Sequence, residues 1–178
     1  MRLTPAVVAA EREWVRERAP VVVALINATR VELGERFDTD VASVDAEQYR
    51  REVDEVFADG DRAVNVAALV GLLRDLDVEG DYPGFVVDEL LGRELAGTIA
   101  GTQPLRLLGE ATFHYADVAI EDEAGPAAVE DDEHPPAGGG DGDPAGLDDL
   151  DAALAAGFQT RLPGWEWRES ESPFAVTD

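Results

Sequence analysis

The sequence predicts a mainly α protein: an irregular bundle of five or six helices, an acidic disordered linker, then a short amphipathic helix and a tryptophan-containing tail. Three observations carry that reading. Apolar residues recur at spacings of three and four through most of residues 1–120, the period of one helix face. The stretch Ala63 to Leu76 sets Val64, Val66, Leu69, Val70, Leu72, Leu73 and Leu76 around a helix with no wide polar stripe, so it should be buried on most sides. From Glu121 the texture changes: Glu121 to Asp151 holds twelve acids and no arginine, and Gly125 to Gly146 holds four prolines and six glycines. Such a segment cannot bury enough apolar surface to offset its ordering entropy. The expected organisation is a helical domain over 1–120, a linker over 121–146 and a C-terminal helix and tail over 147–178.

Each element has a local reason. Thr4 before Pro5 is a capping side chain followed by proline at the first helical position, which starts a helix running to about Arg18. Pro20 breaks it or opens the next, in which Val22, Leu25, Ile26, Thr29, Leu33 and Phe37 form one stripe. Ser43 or Asp45 caps a third helix with Tyr49, Val53, Val56 and Phe57 on its inner edge and Gly60 just past its end. The buried helix follows, then a turn at Glu79–Gly84. A fifth helix starts near Phe85 and a sixth after Pro104, with a strand over Thr112–Ile120 as the alternative to its second half. Beyond the linker, Leu147, Leu150, Leu154 and Phe158 lie at helical spacing, and Trp165 and Trp167 flank Glu166.

Composition narrows the function classes. Thirty-nine acids face fourteen basic residues, all arginine, for a formal net charge of −25 over 178 residues. Self-repulsion of that size opposes a compact state unless salt screens it, a balance that halophiles exploit. The composition resembles that of salt-adapted proteins. It argues against nucleic acid, which needs clustered cations, and against an anionic membrane surface. Arg12, Arg16 and Arg18 alternate with Glu11, Glu13 and Glu17, the pattern of a solvated helix face. Cysteine is absent, so disulfides and thiolate sites are excluded. The opening residues do not read as a secretory signal, and the longest apolar run, Ala19 to Ile26, is far short of the roughly 20 residues of a spanning helix. The expected location is the cytoplasm.

Two constellations invite a function. Glu110, His114 and Asp117 are spaced i, i+4 and i+7, so a helix puts them on one face, and imidazole with two carboxylates suits iron, manganese or zinc. Glu89 or Glu94 could complete that set. The bland alternative is an interface histidine paired with an acid. The second histidine, His134, lies within the acidic linker, where no fixed geometry holds a metal. No Gly-x-Ser-x-Gly elbow or phosphate-cradling glycine motif occurs. No cofactor is expected, a transition metal at Glu110, His114 and Asp117 being the alternative.

The other constellation is the tail. Leu150, Leu154, Phe158, Trp165 and Trp167 could dock on a partner from the end of a tether, since tryptophans anchor interfaces. The bland reading, which is preferred over docking, is that the tail folds back and covers an exposed face of its own bundle, with the linker as a long surface loop and the tryptophan-rich end as core and not site. The functional expectation is a non-enzymatic protein acting through protein contacts or self-association, as adaptor, regulator or assembly subunit. A metal-dependent enzyme or sensor is the alternative.

Overall fold

The computed structural model describes residues 2–76, 81–102, 105–123 and 145–165. They form seven helices: α1 Pro5–Glu17, α2 Ala19–Phe37, α3 Ala46–Ala58, α4 Gly60–Arg74, α5 Asp81–Ala100, α6 Leu105–Glu123 and α7 Ala145–Gln159. Among the described residues there is no strand, and no helix is long and apolar enough to cross a membrane.

The local signals act as chemistry dictates. Thr4 accepts a hydrogen bond from the Val7 amide at 3.3 Å, and Pro5, whose missing N–H is unneeded there, begins α1. Asp45, not Ser43, caps α3 through a reciprocal capping box. Its carboxylate accepts from the amides of Glu47 and Gln48 at 2.9 and 2.8 Å, while Gln48 Oε1 accepts from the Asp45 amide at 2.9 Å. Asp59 caps α4, so Gly60 opens that helix instead of following α3.

Helix α4 is buried on most sides, as its sequence predicts: Val66, Ala67, Val70 and Leu73 are buried, and only a narrow stripe that carries Val64 and Leu72, 42% and 45% exposed, stays open. Other local readings change. The turn expected up to Gly84 gives way to helix from Asp81, because Pro83 falls within the first turn of α5, where no intrahelical donor is lost. Residues 77–80 of that turn lie outside the described residues. The strand alternative for Thr112–Ile120 falls, since α6 runs through it and on to Glu123, with Phe113 and Ala116 buried.

The largest difference concerns α7. Helical spacing of four apolar residues predicts one buried stripe on a short amphipathic helix. Every residue from Leu150 to Thr160 is instead buried, and α7 packs against α2, α3, α4, α5 and α6. Ala152, Ala153, Ala155 and Ala156 let neighbours close in from the remaining directions. At Gly157 the approach is closest: a Cβ there would lie 2.8 Å from Ile99 Cβ and 3.0 Å from the Ala96 carbonyl oxygen. Phe158 meets Tyr49 edge to face with ring centroids 5.0 Å apart, and Tyr49 donates to the Val15 carbonyl at 3.0 Å. One hydrophobic cluster therefore takes side chains from all seven helices.

The buried carboxylates Glu11 and Asp151 are each paired with an arginine. Glu11, 6% exposed, accepts both Nη groups of Arg74 at 2.6 and 2.8 Å. Asp151, 4% exposed, is gripped by Arg18, whose Nε donates to Oδ1 at 3.0 Å and whose Nη2 donates to Oδ2. That pair ties the start of α2 to α7.

Candidate functional site

Two features are not accounted for by folding alone. The first is an apolar groove where the start of α1, the end of α3 and the start of α4 meet. Leu3, Pro5, Val8, Phe57, Ala63 and Val64 line most of it, Arg12 stands at its edge, and it encloses about 450 Å³. Leu3 and Val64 stand 39% and 42% exposed. The capped start of α1 and the capped start of α4 hold these residues in place, so the groove is built on helices and not on a loop.

The second is Arg30 on α2, which is 1% exposed. Its Nη1 donates to the Ala42 carbonyl at 2.6 Å. Its guanidinium lies over the Trp165 ring, 5.8 Å from the centroid. Nε and Nη2 have no hydrogen-bond partner among the described residues. Burial pulls the group's pKa down to about 10, which leaves it a cation at neutral pH. Gly164 passes beside it with φ of 107°, and a Cβ there would lie 3.3 Å from Nη1, so both backbone conformation and space ask for glycine. Arg30 also lines a cavity of about 480 Å³ that it shares with Glu35, Asp38, Thr39, Asp40 and Val41.

A third depression, of about 680 Å³ between α4 and α5, is lined by Arg62 and Arg106 among acids. Each cation there already has an anion: Arg62 lies 3.5 Å from Asp59, and Arg106 donates to Glu94 at 2.6 Å. Neither arginine is left as a free cation.

The residues singled out from the sequence are distributed as follows. Glu110 is half-buried on α6 and pairs with Arg106 at 2.9 Å. His114 and Asp117 fall on the same helix, but their side chains lie outside the described residues, as does all of His134. Glu94 is taken by Arg106 and Glu89 pairs with Arg93 at 3.1 Å, so both acids that could complete a metal set are engaged by arginine. Among the described residues no group of three histidine or carboxylate side chains is arranged to hold a metal. Leu150, Leu154 and Phe158 are fully buried and Trp165 is 4% exposed, so these four side chains sit within the chain's own core. Trp167 lies outside the described residues.

Neither candidate feature was singled out from the sequence. For Arg30 a signal existed. It follows Val22 and Ile26 at four-residue steps and precedes Leu33 by three, a charge in the middle of a buried stripe. The groove had no such signal, because it forms only where three helix ends meet.

The chain matches the domain of unknown function DUF7984 over residues 1–178. The chain belongs to that family. No curated protein and no solved structure matches it. Family membership covers the C-terminal helix together with the rest of the chain, in keeping with a core to which all seven helices contribute.

Proposed function

We propose that the chain is a non-enzymatic binding protein that works through protein contacts, seating an apolar segment of a different protein in the groove between α1, α3 and α4. The observation that carries this is the groove itself: apolar, open and rigidly framed on a chain of net charge −25. The buried positions of Leu150, Leu154, Phe158 and Trp165 speak against the tethered-tail mode of contact and move the contact to this face. Charge selects the occupant. Two copies of the chain repel each other, whereas a segment with arginine or lysine beside its apolar residues is attracted. Salt weakens that attraction but leaves apolar burial as the driving term.

Photo-crosslinking from position 64 in the native host, under its own salt, tests this. A single defined partner adduct is expected. Val64→Asp, at an exposed position that should leave the fold intact, should weaken the isolated complex roughly tenfold or more, because a carboxylate replaces buried apolar area. Only self-adducts, or none, or a complex indifferent to Val64→Asp with an unchanged melting temperature, would remove the groove from the account.

A further inference from the structure

The groove between α1, α3 and α4 offers an occupant apolar side chains but no sheet edge. We infer that its occupant is an amphipathic α-helix, lying along the open stripe of α4 from Val64 to Leu72 with an arginine or lysine beside Asp61. This rests on the reading of the groove as a contact site, and adds the occupant's conformation, course and charge.

Backbone chemistry decides the conformation. A segment that leaves water needs a partner for every N–H and C=O it buries. An extended segment finds them by joining an exposed strand, and among the described residues there is none. The polar groups at the rim are engaged. Thr4 Oγ1 accepts from the Val7 amide at 3.3 Å, Asp59 accepts from the Arg62 amide at 3.3 Å, and Arg12 donates to Glu13 at 2.6 Å. A helix bonds its own backbone and needs from its host only an apolar face.

Packing decides the course. Val64, Ala68 and Leu72 follow at four-residue steps, the ridge on which one helix seats against another. Val64 and Leu72 are 42% and 45% exposed, and Ala68 between them is half-buried. Helix α1 makes the wall. Its start lines the groove together with Ala63 and Val64, and further along Glu11 accepts from Arg74 at 2.6 Å while Trp14 lies under that guanidinium at 5.4 Å. The two helices therefore run side by side in the same direction. Pro5 to Ala10 of α1 are all apolar and none is buried, so the wall too is uncovered.

Charge decides the flank. Asp61 is exposed at the head of the ridge, and the neighbouring Arg62 lies 3.5 Å from Asp59. A cation on the occupant is the complement to that carboxylate, and an acid there is repelled.

Photo-crosslinking residues placed at 64 and at 72 of the full chain, in the native host under its own salt, test this by the spacing of their adducts. The two positions stand about 12 Å apart along α4. A helical occupant should carry its two adduct sites about eight residues apart, whereas an extended one, at about 3.3 Å per residue, carries them about four apart. The mapped segment should set apolar residues at three- and four-residue steps with arginine or lysine beside them. Leu72→Asp, at an exposed position, should weaken the complex roughly tenfold with an unchanged melting temperature.

A spacing near four overturns the inference, as does a mapped segment without a basic residue. Adducts from 64 alone, with a complex indifferent to Leu72→Asp, also overturn it while the groove remains a contact site. Adducts from neither position, or only onto a second copy or onto the chain itself, remove both readings.

Discussion

At the scale of single residues, two glycines in helices should respond oppositely to the same change. Gly157 faces a backbone oxygen and a β-branched carbon, at 3.0 and 2.8 Å from where a Cβ would stand, and neither can swing aside. Overpacking of that kind costs about 1–3 kcal/mol, against at most about 1 kcal/mol returned by helix propensity. Gly157→Ala should therefore lower the melting temperature. Gly60, at the start of α4, has nothing within 4 Å of the corresponding point. Gly60→Ala should be neutral or stabilising by about 0.4–1 kcal/mol, through a less flexible unfolded chain. Thermal melts of the two variants in one buffer check both signs. Equal effects would mean that α7 does not press on α5 as closely as described. Arg30 belongs to the same scale. Its place in the stripe of Val22, Ile26 and Leu33 was readable from spacing, but spacing carries no information about which donors a buried guanidinium leaves unmatched.

At the scale of elements, the legible features were those fixed within a few residues. Thr4–Pro5 and Asp45–Gln48 act locally, so α1 and α3 begin where their caps stand. The same local reading overestimated the turn at Pro83, because proline ends a helix from within but is tolerated in its first turn. It also underestimated α7. Acidic neighbours at Asp148, Asp149 and Asp151 and a Pro/Gly-rich approach gave that helix the look of an appendage. Alanine is the reason the look misleads. It fits an exposed helix face as readily as a crowded interior, so Ala152, Ala153, Ala155 and Ala156 say nothing about burial until neighbouring helices are in place. Asp151 misleads similarly, since its partner Arg18 lies 133 residues earlier in the chain. The groove between α1, α3 and α4 was beyond reach for the same reason: each lining residue is ordinary, and only the meeting of helix ends makes them a surface.

At the scale of the whole molecule, a net charge of −25 sits on a core of ordinary apolar chemistry. The Debye length grows from roughly 3 Å at 1 M salt to about 10 Å at 0.1 M. Carboxylates that ignore one another at high salt then repel, while the core is unaltered. Moving from molar KCl to dilute buffer should lower the melting temperature steadily, and a transition indifferent to salt would show that the acidity does not govern stability. The central claim is that α7, though it follows the acidic segment in sequence, is part of the one cooperative core and not a tethered element. Native-state hydrogen exchange of the full chain in molar KCl tests it most directly. The account predicts that amides from Leu150 to Phe158 exchange only through global unfolding, as slowly as those of α2 and α5. Exchange of that stretch by a low-energy local opening, with α2 and α5 still protected, would contradict it and return the C-terminal helix to the role of a tethered docking element.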